Sequence, residues 1–310
     1  MICNNRNGFL ITQEKKKIWE VELKLVEKVF EVCKKYDLPI VSSSGTTIGA
    51  VRENGFIPWD DDIDLEMLRP DYDKLVSVAS KEFQSPFFFQ CAYTDKNYIR
   101  GHAQVRMDGT TAILRPDVFC DFHQGIFIDI FVFDAVPASE REIKLLRKKT
   151  ERLKHKMKLI AYRNVFLHSL NPLYKILGAL SFLLYRQDDD KKIFKEFEET
   201  FRKQWNNNTT EVSLMAYSWD AFERNRRPKS FIKNIKFFPF ENMMMPVPEQ
   251  YHEILTRVYG DYMTPHQCPT GHGMFSVLSA DHPYTDDLPK LRRNYFFKKI
   301  IEIPKTFIGK

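Results

Sequence analysis

The stretch from position 45 to position 67, GTTIGAVRENGFIPWDDDIDLEM, constrains the fold more than any other part of the chain. It ends in four aspartates interrupted only by one isoleucine, and acidic and apolar residues alternate over positions 62–67. That period of two is typical of a half-buried strand and does not fit a helix. On such a strand Asp62 and Asp64 point to the same face, so the sequence predicts two adjacent carboxylates suited to a divalent cation.

A third carboxylate lies in a second predicted strand, positions 125–133 (GIFIDIFVF), where Asp129 is surrounded by β-branched and aromatic residues. Burying a lone carboxylate is costly unless it is paired or bound to a cation, although Asp129 alone could also cap a neighbouring turn. Together with Asp62 and Asp64 it predicts a site for two Mg²⁺ ions, with Mn²⁺ as an alternative. Two such ions about 4 Å apart suit a phosphoryl transfer, and Asp129 could take the proton of an attacking hydroxyl.

The remaining pattern predicts an α/β (α+β) fold in three parts. Residues 1–137 form an α/β catalytic core, residues 138–210 a helical subdomain with a basic amphipathic helix, and residues 211–310 fold back to complete the core. Within the core, the turn signal Asp108-Gly109 predicts a β-hairpin between two short strands, at positions 103–107 and 111–114.

A strand-to-helix turn precedes the acidic strand and offers backbone N–H groups and hydroxyls to a phosphate. It is not a Walker loop, because no Gly-Lys-Ser/Thr follows. Arg52 and Arg106 are further candidates, since a guanidinium grips phosphate through two hydrogen bonds, but ion pairs with the aspartates are equally compatible with them. The predicted phosphate-binding residues of the turn are Ser44, Gly45, Thr46 and Thr47.

The positive charge of the chain is concentrated in one segment. The formal net charge is +6, and positions 141–163 contain ten Lys or Arg residues against two Glu, so the rest of the chain is slightly acidic. An apolar stretch, positions 172–185, follows closely. A docked helix with a solvated basic face and a helix on an anionic membrane surface both fit this pattern. Nucleic acid is not expected as a partner, because no recognition motif accompanies the basic run.

The five cysteines are widely separated and odd in number, which predicts free thiols in a reducing compartment. The first residues lack the apolar core of a signal peptide. The apolar stretch 172–185 contains Lys175 and is shorter than the roughly 18–20 residues of a membrane span. We therefore expect a cytoplasmic protein, or one bound peripherally to the inner face of the cytoplasmic membrane.

The stretch at positions 45–67 resembles the signature of the LicD family of phosphotransferases, which is related to the catalytic region of fukutin-related proteins. Positions 47–48 (Thr-Ile) depart from the usual two leucines, and His266-Gln267 stands where members often carry a second proline. Further matching blocks are Arg69, Asp71 and Tyr72, then Arg106, Thr110 and Thr111, then GIFIDIFVFDAVP at positions 125–137, and YGDYM at positions 259–263.

The resemblance implies a nucleotidyltransferase core of the polymerase-β type with an inserted or appended helical subdomain. It implies that Gly45 and Thr46 belong to the phosphate-side turn, and that Asp62, Asp64 and Asp129 are catalytic, metal-binding acids. The implied reaction moves a substituted phosphate, such as phosphocholine, from a CDP-linked donor to a hydroxyl of a cell-surface or lipid-linked glycan, for example lipopolysaccharide or teichoic acid. CMP is released.

Two other functions fit the same residues. One is a nucleotidyltransferase that transfers NMP and releases pyrophosphate; the other is a non-catalytic module that binds nucleotide or glycan. For substrate binding, Trp59 and Tyr262 are candidates to contact the quaternary ammonium of choline, and His272 is a candidate to contact phosphate. Packing or loop roles for these three residues remain open alternatives.

Overall fold

The computed structural model describes residues 4–6, 8–169, 171–186, 189–206, 208–267 and 275–298. The helices are α1 (Gln13–Lys35), α2 (Ser44–Ile48), α3 (Arg69–Glu82), α4 (Glu140–Ala161), α5 (Arg163–His168), α6 (Pro172–Leu184), α7 (Asp189–Arg202), α8 (Phe222–Asn225), α9 (Ser230–Lys233), α10 (Tyr251–Tyr259) and α11 (Leu288–Lys298). The strands are β1 (Asn4–Arg6), β2 (Phe9–Ile11), β3 (Val41–Ser42), β4 (Asp64–Leu68), β5 (Phe87–Gln90), β6 (Ala103–Met107), β7 (Thr111–Leu114), β8 (Phe127–Ala135), β9 (Glu211–Ser213), β10 (Arg227–Pro228), β11 (Ile235–Phe240), β12 (Met243–Pro248) and β13 (Phe275–Ser279).

Strand β8 is the centre of a seven-stranded mixed sheet. It pairs in parallel with β4 on one side, and on the other side it pairs antiparallel with β6 and then with β9. Strands β3, β5 and β10 pair with β4, β6 and β9. The β4–β8 register sets Asp64 directly opposite Asp129. A mixed sheet with many helices confirms the predicted α/β class.

The main hydrophobic core joins the sheet to α1. Thr12 caps this helix by accepting a hydrogen bond from the Lys15 N–H at 3.1 Å. Residues such as Leu25, Val29 and Val32 recur at helical spacing and are completely buried, in one cluster with the apolar side chains of β4, β6 and β8. This packing holds the acidic strands in a fixed place beneath the site described below.

A second core cluster lies among the helices that follow β8. Helix α4 begins with a capping box, in which the Ser139 hydroxyl and the Glu142 side chain bond each other's backbone N–H groups. Its apolar stripe meets Phe194, Phe197 and Phe201 of α7 in this cluster. The same cluster includes residues 215–222, so α4 also supports a segment that returns to the sheet.

The predicted hairpin is wrong in its pairing, although its two strands have the predicted bounds. Strand β6 pairs with β5 and β8, whereas β7 pairs with β13 near the end of the chain. The segment 124–126 lies between the two strands: Gln124 O accepts from Ala112 N, and Ile126 O accepts from Met107 N. Backbone groups that the hairpin would have paired are therefore satisfied by a later part of the chain.

The acidic strand is shorter than predicted. Strand β4 begins at Asp64, so Asp62 lies in the loop before it and not on the strand. The helical segment that follows the predicted turn is divided into α2 and a π-helical turn over Gly49–Glu53, and Asn54 ends it in the left-handed conformation. The carboxylates of Asp62 and Asp64 therefore come from a loop and from the first residue of a strand. They do not come from alternate positions of one strand, as the period of two predicted.

Three cysteines, Cys33, Cys91 and Cys120, are buried free thiols, in agreement with the expectation for these residues. Cys3 and Cys268 lie outside the described residues. Within the described ranges, no helix combines the length and apolar character needed to cross a bilayer.

Candidate active site

Three carboxylates converge where β4 and β8 begin to pair. Asp62, Asp64 and Asp129 each place a carboxylate oxygen within 4.8 Å of the others. Asp64 and Asp129 are direct neighbours across the parallel pair, and Asp62 approaches from the loop before β4. Since parallel strands lie about 4.8 Å apart, this register alone brings two of the three carboxylates together.

The backbone and neighbouring side chains hold these acids in place. The Thr46 hydroxyl accepts a hydrogen bond from Asp64 N at 2.8 Å, and Asp129 N donates to Ile63 O at 2.9 Å. The Asp129 carboxylate oxygen Oδ1 accepts from Gln104 Nε2 at 2.7 Å and lies 3.3 Å from His102 Nε2. Residues on β6 and just before it thus fix the orientation of the third acid.

Arg106 does not line the cleft, contrary to the expectation that it binds phosphate there. It is 1% exposed, and its guanidinium donates to Gln90 Oε1, to Gly125 O at 2.6 Å and to Gln104 Oε1 at 2.6 Å. Because Gln104 in turn holds Asp129, Arg106 acts on the acid cluster through a hydrogen-bond chain. The arginine faces the interior because β6 is covered on both faces.

The electrostatics of the cluster favour a cation. The pKa of Asp64 is raised well above its usual value by burial and then by the charges of Asp62, Asp129 and other carboxylates. Burial and Asp62 also raise the pKa of Asp60 to about 8. Carboxylate oxygens are the ligands that Mg²⁺ and Mn²⁺ prefer, so these side chains fit the predicted ions in chemistry and spacing.

The acids line a cleft with a volume of about 700 Å³. Its other walls come from distant parts of the chain that sequence reasoning missed. The loop after β9 supplies Tyr217, α8 supplies Arg224 and Asn225, and α10 supplies Tyr259. Only Tyr259 belonged to a block with a recognisable pattern; no local signal marks Tyr217 or Arg224.

Known proteins share part of the sequence that forms this site. Residues 38–163 match the family described as LicD/FKTN/FKRP, nucleotidyltransferase domain. The chain is also 28% identical over 241 residues to the lipopolysaccharide cholinephosphotransferase LicD of Haemophilus influenzae, covering 78% of this chain and 88% of that relative. Residues 38–163 are thus a LicD-family domain.

The two matches support a LicD-family phosphotransferase, as the resemblance implied. The family match, residues 38–163, includes Gly45 and the three converging acids. It ends before the cleft wall formed by residues 214–266. The lining residues between positions 214 and 266 therefore lie outside the family match, and only the structure shows that they belong to the cleft.

The turn predicted to bind phosphate is only partly open to the cleft. Ser44 and Gly45 line it, and a Cβ atom at Gly45 would lie 2.6 Å from Asp60 Oδ2, so a larger residue there would displace the Asp60 carboxylate. Thr46 and Thr47 are buried instead: Thr46 supports Asp64 N, and the Thr47 hydroxyl lies 2.9 Å from Ser42 Oγ. Their hydroxyls point into the protein because α2 packs them against β3 and β4.

The remaining predicted residues that the structure describes line the cleft. Arg52 lines it but is also held by Glu53 Oε1 and by Tyr262 O, each at 2.6 Å. Trp59 and Tyr262 line it as well, and the Tyr262 hydroxyl lies 2.9 Å from His252 Nδ1. His272 lies outside the described residues.

Proposed function

We propose that this LicD-family protein transfers a substituted phosphate, phosphocholine or a related group, from a CDP-linked donor to a hydroxyl of a cell-surface glycan and releases CMP. The observation that carries this proposal is the convergence of Asp62, Asp64 and Asp129 within 4.8 Å in the lining of a cleft of about 700 Å³. We further propose that the sheet and α2 form a nucleotidyltransferase core of the polymerase-β type, supported by the family description.

The same three carboxylates would hold the divalent ions, since their oxygens are close together and the charges of Asp62 and Asp129 raise the pKa of Asp64. When bound, Mg²⁺ offsets the negative charge of the phosphates and of the oxygen that leaves. Gly45 and Ser44 offer a surface on which a phosphate can approach the backbone. Arg224, which also lines the cleft, supplies a positive charge that a diphosphate can meet.

The reaction is a single displacement at the distal phosphorus of the donor. The acceptor oxygen forms the new P–O bond, the bond to the bridging oxygen breaks, and its electron pair leaves with CMP. Asp129 takes the proton of the acceptor hydroxyl, with its Oδ1 already oriented by Gln104 at 2.7 Å.

Aromatic side chains favour choline as the donor head group. Trp59, Tyr217 and Tyr259 all line the cleft, and the two tyrosines are 43% and 46% exposed. Such rings attract a quaternary ammonium through its charge. The relative from Haemophilus influenzae is named a cholinephosphotransferase, which supports the same donor.

The decisive experiment compares donors and identifies products. Purified protein with Mg²⁺ and an acceptor glycan is incubated with CDP-choline or with CTP. Choline-phosphate transfer gives CMP from CDP-choline, whereas nucleotidyl transfer gives pyrophosphate from CTP. Failure to release CMP from CDP-choline, CDP-ethanolamine, CDP-glycerol or CDP-ribitol, while nucleotide still binds, would favour a non-catalytic binding module.

A Trp59→Leu variant tests the head-group assignment. We expect KM for CDP-choline to rise about fivefold to thirtyfold, with little change for CDP-glycerol, because only choline carries the cation. Phe237→Leu, on β11 and away from the cleft lining, is the matched aromatic control. Equal losses with both donors would assign Trp59 to packing.

A further inference from the structure

Helix α6 is attached to the rest of the protein through its small side chains. Gly178 and Ser181 are buried, and Ser181 Oγ donates to Leu159 O of α4 at 2.8 Å. A Cβ at Gly178 would lie 3.1 Å from the backbone N of Leu167 in α5. The helix therefore approaches α4 and α5 closely, with its glycine and serine facing inward.

The large apolar side chains of α6 face outward instead. Ile176, Leu180 and Leu183 recur at positions i, i+4 and i+7, so they form one stripe, and Leu183 is 82% exposed. This inverts the usual arrangement, in which the apolar stripe faces the core. The other exposed apolar residues of the helix are Leu173, Leu177, Phe182 and Leu184.

A row of cations continues from this stripe along α4. Lys148, Arg152 and Lys156 follow one another at intervals of four residues, and all are exposed. Leu159, against which α6 is anchored, lies on the same side of α4 by helical spacing. With Arg141 the row extends about 22 Å along the helix. The acids of α4 lie to either side of it, at Glu140, Glu142 and Glu151.

We propose that the α4–α6 surface, meaning this cationic row and the exposed stripe of α6, docks on the surface of an anionic lipid bilayer. The apolar stripe would enter the boundary between head groups and acyl chains, and the Lys and Arg side chains would contact anionic head groups. Arg163 joins the two parts, because its guanidinium carbon lies 4.3 Å from the centre of the Phe182 ring.

Charge distinguishes a bilayer from a second copy of the chain. In a two-fold dimer a patch meets itself, so the cationic row would be brought near another cationic row. An anionic bilayer offers opposite charge and an apolar layer together. Helix α6, with 13 residues, is too short to span a bilayer, and its length is compatible with an interfacial segment.

Helix α4 contributes to both the docking surface and the cleft wall, but through different faces. The inner side of α4 supports the cleft wall: Thr150 Oγ1 accepts from Trp219 Nε1 at 2.9 Å, and Lys154 donates to Tyr217 O. The proposal does not rest on the proposed reaction, because lipid binding is measured without a donor. A bilayer-bound enzyme would meet acceptors that are themselves lipid-linked.

The test is co-sedimentation of the full chain with vesicles. One set contains only phosphatidylcholine, and the other contains equal parts of phosphatidylcholine and phosphatidylglycerol. We expect partition into the anionic vesicles at least about tenfold stronger than into the neutral ones, decreasing as salt is raised.

Two variants separate the parts of the surface. Lys148→Glu with Arg152→Glu, and Ile176→Ser with Leu180→Ser and Leu183→Ser, should each weaken anionic partition at least about tenfold. The charge control is Lys24→Glu with Lys81→Glu, which makes the same charge change at exposed positions of α1 and α3. The apolar control is Phe237→Ser with Met244→Ser, at 63% and 51% exposed positions of the β11–β12 hairpin.

Three results would overturn the proposal. The first is equal partition into both vesicle types, and the second is control variants that lose as much binding as the test variants. The third is a dimer, seen by light scattering, that the α6 variant abolishes while vesicle binding is absent. CMP release is measured separately with a soluble acceptor, so a loss of vesicle binding does not count against the proposed function.

Discussion

The two ends of the β4–β8 pair contain buried carboxylates in opposite electrostatic settings. At one end Asp64 faces Asp129, and the largest electrostatic influences on the pKa of Asp64 all come from other acids. At the other end Asp134 and Glu198 receive hydrogen bonds from Arg69, at 2.7 Å and 2.8 Å. One end of the strand pair thus holds an acid cluster that repels itself, and the other end holds Asp134, which is neutralised together with Glu198 of α7 by Arg69.

This contrast separates structural charge from functional charge. A buried carboxylate held by an arginine contributes to the fold, and its loss leaves an uncompensated charge. A cluster of mutually repelling carboxylates opposes folding, so its presence requires another reason. The proposed cation supplies that reason for Asp62, Asp64 and Asp129.

Removing Arg69 should have the largest effect on stability. Arg69→Met leaves Asp134 and Glu198 buried without their donor, so the free energy of unfolding should fall by about 3–5 kcal/mol in urea denaturation. The matched control is Arg202→Met, at the more exposed edge of the network, where about 1 kcal/mol or less is expected. Equal costs for the two variants would remove the distinction between the two ends of the strands.

Neutralising Asp64 should reduce activity without reducing stability. We expect Asp64→Asn to reduce CMP release about a thousandfold, because the site for the cation and its charge is damaged. Without metal, its free energy of unfolding should not fall, since one repulsive charge is removed. Asp220→Asn, at a position whose side chain is 94% exposed, is the control for both measurements. A variant as active as the wild type would contradict the assigned role.

Divalent ions should stabilise the folded protein through the acid cluster. At an Mg²⁺ concentration about 100 times the Kd, the gain is about 2.7 kcal/mol, measured as a rise in Tm. The Asp62→Asn, Asp64→Asn double variant should show no such rise, whereas Arg202→Met should keep it. If both variants respond equally to Mg²⁺, the ion binds elsewhere.

The hydrogen-bond chain behind Asp129 should have the smallest of these effects. Gln104→Leu removes the bond to Asp129 Oδ1 and should lower kcat about tenfold with KM for the donor nearly unchanged. Gln104→Glu, which keeps an acceptor for Arg106 but not the donor to Asp129, should resemble it. Unchanged kcat in both variants would show that Asp129 is positioned without Gln104.

The sequence predicted the parts of this site that depend on local pattern. The alternation at positions 62–67 and the apolar strand around Asp129 located the three acids, and the turn at Gly45 was found beside them. Pairing was not predictable in the same way: the turn signal Asp108-Gly109 suggested a hairpin, but residues 124–126 bond both strands. Local turn chemistry cannot report a competing partner from a distant segment.

Side-chain direction was also beyond the sequence. Arg106 looked like a phosphate ligand, yet β6 is buried and turns the arginine toward Gln90 and Gln104. Conversely, Tyr217 and Arg224 reach the cleft only because the chain returns through β9 and α8. Their place follows from tertiary packing against α4, which no short pattern encodes.

The most direct test of the central claim is a crystal structure of the protein grown with Mn²⁺ and CDP. The anomalous signal locates the metal independently of any assay. The account predicts a strong peak coordinated by Asp62, Asp64 and Asp129, and a weakened peak in Asp64→Asn crystals. A map with no peak at these acids, or with metal bound only elsewhere, would contradict it.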